Sequence, residues 1–183
     1  MNHAPYDALA ATYDELFSDP SSLEENHDVM RRIGYSEGSV LDIGCGTGLF
    51  LDHHKPDGYL GVDPSAGMLA ALHEKHPEAM VTNCTFEDYI PSDRYDLIVS
   101  LFGSISYVDP KSFNKITRSL SPGGRVFLMF YRNDYEPLTH GHLPFKAKVY
   151  PFRGLLLASS SLTFSRAKFD EFGNFVIVEG KRR

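Results

Sequence analysis

Residues 42–48, with the sequence DIGCGTG, are the strongest sign of chemistry in the chain. Three glycines at alternate positions, Gly44, Gly46 and Gly48, let the backbone turn sharply and let a ligand approach it closely, because they carry no Cβ atom. Dinucleotide-binding loops have the pattern G-x-G-x-x-G, but Leu49 stands where the third glycine of that pattern would be. A Walker loop would need Gly-Lys-Ser/Thr, which this segment lacks. The pattern therefore predicts a ligand-binding loop of a different kind.

A second element is Asp63, which follows the predicted strand at residues 59–62 and lies roughly 20 residues beyond the glycines. An acidic side chain at this distance can accept hydrogen bonds from both hydroxyls of a ribose. Taken alone, an aspartate here would more often be a helix cap, and the glycine segment could be only a tight turn. The two together favour a site for a ligand that contains ribose.

These segments resemble the motifs of one family, the class I S-adenosylmethionine-dependent methyltransferases. Residues 40–48 resemble the family's first motif, and residues 61–65 with Met68 resemble its second motif. Residues 95–100 resemble its strand-four motif, and residues 120–124 resemble the turn before its fifth strand. The pairs Tyr6-Asp7 and Tyr13-Asp14 are similar to the N-terminal segment that covers the cofactor in that family. The resemblance extends over about residues 6 to 131, and more loosely to the C-terminal residues.

The resemblance implies S-adenosylmethionine as cofactor and S-adenosylhomocysteine as product. The methionine part is expected over Gly44 and Gly46, the ribose at Asp63, and the ammonium group at the backbone around Leu101. The cofactor-binding residues implied in this way are Tyr13, Asp42, Gly44, Cys45, Gly46, Asp63, Pro64, Met68, Thr85, Phe86 and Leu101.

Three of these positions leave alternatives open. Asp42 could only shape the turn by bonding to loop amides, and Phe86 could equally be a core residue. The family often has an acid at the position of Thr85, where it binds the adenine amine. Glu87 or Asp88 could replace that acid here.

The methyl acceptor is expected beyond the carboxyl ends of strands four and five, as in other open α/β sheets. The stretches 102–107 and 131–142 lie there and hold Ser104, Ser106, Tyr107, Tyr131, Asp134, Tyr135, His140 and His142. A histidine that titrates near neutral pH could take a proton from an acceptor hydroxyl, so His140 or His142 is the hypothetical general base, with Tyr107 orienting the acceptor. The alternative is that both histidines are solvated and catalysis is mainly alignment.

Composition favours a small-molecule acceptor. The net charge is −6, and the only basic cluster is residues 181–183, so a nucleic-acid partner is not expected. We interpret the chain as an enzyme that methylates an oxygen or nitrogen of a small molecule, with a homodimer as a further hypothesis. The alternatives are a protein-directed methyltransferase, a non-catalytic cofactor-binding or partner-binding domain and, disfavoured by the glycine spacing, a nicotinamide-dependent oxidoreductase.

The sequence also predicts the compartment. Cys45 and Cys84 have neither disulfide-scaffold nor zinc spacing. His73 and His76 lie three residues apart, but no acidic motif joins them, so no metal is expected. Residues 1–5 lack the pattern of a signal peptide, and no apolar stretch could span a membrane. These features indicate a cytoplasmic protein without a membrane partner.

The elements that must position these residues alternate between apolar strands and helices. This pattern predicts an α/β fold, namely a Rossmann-like, doubly wound, mostly parallel sheet of about seven strands with a C-terminal antiparallel hairpin. A single methyltransferase domain, 1–183, is expected. It is divided into an N-terminal helical cover at 1–34, a cofactor-binding core at 35–131, and a substrate-side loop with the terminal hairpin at 132–183.

Some elements have predicted bounds. A short helix is expected within residues 6–17, and a second begins after Asp19-Pro20 and ends at Gly34. Ser65 can cap a further helix, and residues 95–100 are expected to form a buried strand. A helix that opens at Asp109-Pro110 is expected to continue through Leu120. The last third predicts a helix at 153–160 and a hairpin of strands at 162–170 and 175–179.

Overall fold

A computed structural model describes residues 6–34, 38–134, 149–150, 152 and 168–182. Within these ranges no helix has both the length and the apolar composition needed to cross a bilayer.

The described ranges contain four α-helices and seven β-strands. The helices are α1 (Pro20–Ile33), α2 (Leu49–His53), α3 (Ala66–Lys75) and α4 (Asn114–Ser119). The strands are β1 (Ser39–Ile43), β2 (Gly58–Asp63), β3 (Met80–Asn83), β4 (Tyr95–Ser100), β5 (Leu120–Tyr131), β6 (Lys168–Phe172) and β7 (Phe175–Lys181). Short 3₁₀ turns lie at Ala10–Thr12, Asp14–Phe17, Ser104–Tyr107 and Pro110–Ser112.

All seven strands form one sheet in the order β3-β2-β1-β4-β5-β7-β6. The first five strands are parallel, whereas β7 runs antiparallel to β5 and β6 runs antiparallel to β7. The strand order reverses between β1 and β4, which is the switch point where ligands bind in open α/β sheets. The predicted fold class and the C-terminal antiparallel hairpin are therefore confirmed.

Hydrophobic residues on both faces of the sheet are buried, as a mostly parallel sheet requires. One face packs Leu41, Ile43, Ile98 and Leu128 against Phe113 and Ile116 of the α4 region. The other face packs Val40, Leu97, Val99, Phe127 and Met129 against Val29, Met30 and Ile33 of α1. These two cores fix the strands, so that the loops after β1, β2 and β4 meet at one edge of the sheet.

The helix start that the sequence predicts at Asp19 is confirmed. The Asp19 carboxylate accepts hydrogen bonds from Ser21 N at 3.0 Å and Ser22 N at 3.1 Å, and Pro20 occupies the first helical position. These bonds satisfy backbone donors that the first turn of a helix leaves without partners. Gly34, with φ of +70°, ends the helix.

Two predicted elements differ from the structure. Residues 6–17 form two 3₁₀ turns rather than one helix, and neither turn has a side-chain cap. The helix predicted to run through Leu120 ends at Ser119, because Leu120 already pairs with Tyr95 at the start of β5. The next pair joins Leu97 and Arg125, so the intervening residues bulge out of the ladder. The helix predicted at 153–160 and the first part of the predicted hairpin lie outside the described residues.

Candidate functional site

The glycine loop joins β1 to α2 and has a left-handed backbone at each of its three glycines. The φ angles of Gly44, Gly46 and Gly48 are +72°, +52° and +93°. Other L-residues rarely adopt these angles, because their Cβ atom would crowd the following carbonyl group. Gly44 N also donates to Val62 O at 2.7 Å, which holds the loop against β2. The alternating glycines are therefore required by the course of the backbone.

The space beside the glycines differs between Gly44 and Gly46. A Cβ atom on Gly44 would lie 2.4 Å from Ser104 Cβ, so this glycine allows close packing on the segment after β4. A Cβ atom on Gly46 would meet no atom within 4 Å. Gly46 thus faces a space that a ligand could fill while touching the backbone.

Asp63 lies at the end of β2, directly beside this loop. Its Oδ2 accepts a hydrogen bond from Gly46 N at 3.0 Å, and its Oδ1 accepts one from Ser65 N at 2.8 Å. Burial raises the pKa of Asp63 to about 6, although these two amide bonds oppose the shift and Asp7 adds to it. One carboxylate therefore joins the glycine loop to the start of α3 and keeps further acceptor positions for a ligand.

Asp42 and Cys45 turn toward the interior and toward β2. Tyr59 Oη donates to Asp42 Oδ2 at 3.0 Å, and burial raises the pKa of Asp42 to about 7 against the opposing effect of that bond. Cys45 is 6% exposed, and a Cβ atom on Gly61 would lie 2.6 Å from its sulfur. Burial raises the pKa of the Cys45 thiol, so it is not the exposed thiolate that a nucleophile needs.

The start of α3 supplies two more predicted residues. Ser65 Oγ accepts from Met68 N at 3.1 Å and caps the helix, as the sequence predicts. Met68 is 2% exposed, and Pro64 is half-buried beside Asp63.

The predicted adenine contacts already have partners within the protein. Thr85 Oγ1 donates to Asp88 Oδ2 at 2.8 Å, and Glu87 Oε1 accepts from Asp109 N at 2.6 Å. Phe86 is 3% exposed and stacks on Tyr89 within the core. The described contacts of Phe86 are thus those of a core residue.

The N-terminal segment is held over the site by two aspartates. Asp7 Oδ1 accepts from Ser65 Oγ at 2.6 Å and from Gly67 N at 2.9 Å. Asp14 accepts from Thr47 Oγ1 of the glycine loop at 2.5 Å and from Lys75 Nζ of α3 at 3.0 Å. The Y-D pairs in the sequence pointed to a cover, but they did not reveal that their carboxylates attach it.

Tyr13 lies between these two attachment points. Its ring packs edge-on against Tyr6 at 6.0 Å and is tilted against Phe17 at 5.2 Å. Burial raises its pKa, and the charge of Asp63 adds to the shift. The structure therefore brings Tyr13 and Asp63 to the same site.

The chain after β4 is strained where it passes the glycine loop. Ser100 Oγ donates to Ile43 O at 2.7 Å, and the carbonyl of Leu101 accepts from Ser104 N at 3.1 Å. Phe102 then has φ of +45°, the only positive value at a described residue other than glycine. Such strain persists only where the surroundings enforce it, and it is concentrated at functional sites. Sequence patterns gave no sign of Phe102, since the strain depends on tertiary contacts.

Tyr107 is joined to both the cover and the end of β5. Tyr6 Oη donates to Tyr107 Oη at 2.7 Å, and the Tyr107 ring packs edge-on against Tyr131 at 6.1 Å. Ser106 Oγ accepts from Tyr131 N at 2.9 Å. Burial raises the pKa of Tyr107, so its hydroxyl stays protonated at neutral pH.

The remaining acceptor-side residues divide into three groups. Ser104 Oγ donates to Gly44 O at 3.2 Å, beside the loop. Asp134 is exposed and pairs with Arg132 at 3.2 Å. Tyr135, His140 and His142 lie outside the described residues.

A cavity of about 430 Å³ opens beside the glycine loop. The N-terminal segment and α1 form one wall, and Phe102 with the ends of β5 and β7 forms the other. Thr47 of the glycine loop also lines it. The cavity is therefore continuous with the edge of the sheet where β1 and β4 diverge.

Comparison with known proteins shows a similarity to methyltransferases. Residues 40–124 match the family model described as a methyltransferase domain. A curated N,N-dimethyltransferase of Streptomyces fradiae, acting on dTDP-3-amino-3,6-dideoxy-alpha-D-glucopyranose, is 30% identical over 83 residues, which are 44% of this chain and 32% of that protein. The chain spans between 32% and 51% of the length of three curated relatives, two of them N,N-dimethyltransferases.

Solved structures share the fold. A Thermotoga maritima structure, described as an S-adenosylmethionine-dependent methyltransferase and possible histamine N-methyltransferase, has a TM-score of 0.74 and 19% identity and covers 100% of both chains. CalS10 of Micromonospora echinaspora, an amino pentose methyltransferase solved with S-adenosylmethionine bound, has a TM-score of 0.64 and 16% identity and covers 87% of this chain and 91% of its own. Residues 40–124 are thus similar to a methyltransferase domain, and the chain has the fold of these solved structures.

Proposed function

We propose that this protein binds S-adenosylmethionine and transfers its methyl group to an oxygen or nitrogen of a small molecule. The observation that carries the proposal is the open space at Gly46 directly beside the buried carboxylate of Asp63. A ribose between these two groups would meet backbone on one side and an acceptor of hydrogen bonds on the other. The named relatives that methylate amino sugars support a small-molecule acceptor.

The donor set fits this cofactor. Asp63 would accept bonds from the ribose hydroxyls, Gly44 and Gly46 would lie under the methionine part, and the Leu101 backbone would bind the ammonium group. The other proposed contacts are Tyr13, Asp42, Cys45, Pro64, Met68, Thr85 and Phe86. For Cys45, only its backbone suits this role, because its side chain packs against β2.

The bound cofactor supplies a methyl group on a positively charged sulfur. The protein's own task is to align the acceptor, exclude water and remove a proton where the acceptor has one. Tyr107 would orient the acceptor rather than act as the base, since its raised pKa keeps the hydroxyl protonated. His140 and His142 remain the hypothetical general bases.

The three parts of the domain would divide this work. Residues 1–34 would cover the cofactor, 35–131 would bind it, and 132–183 would contribute to the acceptor side. We also propose no nucleic-acid partner, on the basis of the acidic charge, and a cytoplasmic location, because the two cysteines lack the spacing of a disulfide scaffold.

Product analysis tests the function. Purified protein is incubated with S-adenosylmethionine and fractions of small metabolites, and mass spectrometry follows S-adenosylhomocysteine and any metabolite that gains one methyl group. Both products are expected to appear together and in equal amounts. Their absence from every fraction, in a protein that does bind the cofactor, would favour the non-catalytic alternative.

Cofactor affinity should depend on pH through Asp63. The pKa of Asp63 is about 6 in the free protein. Because ribose hydroxyls donate hydrogen bonds to the ionised carboxylate, cofactor binding favours loss of the Asp63 proton. Affinity is therefore expected to be constant above about pH 7 and to fall by up to about tenfold per pH unit below 6. Titrations of S-adenosylhomocysteine across this range measure the profile.

The Asp63→Asn variant is the control for this profile. It should bind more weakly than the parent and show no inflection near pH 6, because its amide does not titrate. If the Asp63→Asn variant keeps the inflection, the pH dependence of binding comes from another group. Asp42 is then the next candidate, because burial raises its pKa to about 7.

A further inference from the structure

The cavity beside the glycine loop combines aromatic rings with carboxylates. Its aromatic lining consists of Tyr13, Phe17, Phe102, Tyr131 and Phe175. Its acidic lining consists of Asp14, Asp19, Glu25 and Asp52. A volume of about 430 Å³ is sufficient for a small organic molecule.

Three of the four carboxylates already have partners within the protein. Asp14 accepts from Thr47 and Lys75. Asp19 caps α1, and Asp52 pairs with Lys75 at 2.8 Å and with His76 at 2.7 Å. Their charges are therefore largely used in holding α1, α2, α3 and the cover.

Glu25 is the exception. It lies in the second turn of α1 and is half-buried, and its carboxylate has no hydrogen bond or ion pair with any residue that the structure describes. Its Oε1 lies against the turn between β6 and β7, 3.2 Å from the position that a Cβ atom on Gly173 would take. Partial burial raises its pKa, as expected for a carboxylate that loses water without gaining a partner.

No cation of the described lining neutralises Glu25. The lining contains no lysine or arginine among the residues described, and its single histidine is His53. Burial and the neighbouring His27 lower the pKa of His53, so it is neutral at pH 7. Arg32, on the same helix, is paired with Asp170 and Glu179.

On the basis of the proposed function, we propose that this cavity is the acceptor subsite and that it selects small molecules carrying an ammonium group, which binds at Glu25. The aromatic rings would enclose the hydrocarbon part and attract the cation through their negative faces. An anionic acceptor would meet unpaired negative charge, which provides discrimination against it. Glu25 is thus a specificity-determining residue, and the inference restricts the acceptor to a class of amines.

Three probes of similar size and different charge test this inference. They are phenethylamine, 2-phenylethanol and 3-phenylpropionate, titrated by ligand-observed NMR into the full chain saturated with S-adenosylhomocysteine. Hydrogen bonds to charged groups favour the amine by about tenfold or more over the alcohol. The carboxylate is expected to bind most weakly.

Glu25→Gln should remove the preference. Affinity for phenethylamine is expected to fall by about tenfold while that for 2-phenylethanol is unchanged. Glu24→Gln is the matched control, because Glu24 is the preceding residue of the same helix but is exposed and outside the cavity lining. It should leave all three affinities unchanged.

The inference is wrong if the parent binds the alcohol or the carboxylate as tightly as the amine, if none of the three binds, or if Glu25→Gln keeps the preference. Calorimetry with S-adenosylhomocysteine alone separates this failure from failure of the proposed function. Glu25→Gln should bind S-adenosylhomocysteine as the parent does. A parent protein that binds no S-adenosylhomocysteine would contradict the proposed function itself, whereas normal binding with no selectivity for amines would contradict only the acceptor class.

Discussion

Gly46→Val is expected to weaken S-adenosylmethionine binding strongly. A side chain on Gly46 would project into the open space beside Asp63, where the cofactor is proposed to lie. Overpacking costs about 1–3 kcal/mol, and each 1.4 kcal/mol is about a tenfold change in affinity. The dissociation constant should therefore rise by roughly 10- to 100-fold, as measured by calorimetric titration.

Valine also strains the backbone at a positive φ, by roughly 1–2 kcal/mol, so a matched control is needed. Gly34 has φ of +70°, and a Cβ atom on it would likewise meet no atom within 4 Å, but it ends α1 far from the glycine loop. Gly34→Val should lower the melting temperature by a similar amount and leave cofactor affinity unchanged. If Gly46→Val binds the cofactor normally, the space beside Gly46 is not the cofactor site.

Asp63→Ala is expected to weaken S-adenosylmethionine binding by at least about tenfold. The substitution removes a charged acceptor from two ribose hydroxyls, and such bonds contribute about 1.5–3 kcal/mol. It also releases Gly46 N and Ser65 N, so the glycine loop and the start of α3 lose the group that joins them. Loss of affinity and a modest loss of thermal stability should therefore occur together.

Asp96→Ala separates these two effects. Asp96 accepts from Ser39 N at 3.0 Å and from Ser39 Oγ at 3.1 Å at the start of β1, so it joins two strands much as Asp63 joins its neighbours. Asp96→Ala should lower stability without changing cofactor affinity. If a folded Asp63→Ala variant has the parent's dissociation constant for S-adenosylmethionine, then Asp63 is only a structural cap.

Features coded by short segments could be predicted from the sequence. The caps at Asp19 and Ser65 depend on residues only two or three positions away. The glycine loop is recognisable because alternate residues must adopt a left-handed backbone. Strand β4 has the predicted bounds, since its apolar run is buried on both faces.

Features that depend on long-range contacts could not be predicted. The end of α4 is set by the pairing of Leu120 with Tyr95, and the strain at Phe102 arises where β4 meets the glycine loop and β7. Asp7 and Asp14 bond to residues more than 30 positions away. The sequence alone does not distinguish Glu25 from a solvent-exposed helix residue, because its partial burial depends on how α1 packs against the β6–β7 turn.

Binding of S-adenosylmethionine at a single site is the claim on which the proposed reaction, the pH profile and the amine subsite all depend. Isothermal titration calorimetry of the purified chain with S-adenosylmethionine, S-adenosylhomocysteine and NADH tests it in one experiment. One-to-one binding of the first two ligands is expected, with no heat from NADH, because the loop lacks the third glycine of a dinucleotide site. No heat from either sulfur ligand together with clear binding of NADH would contradict it.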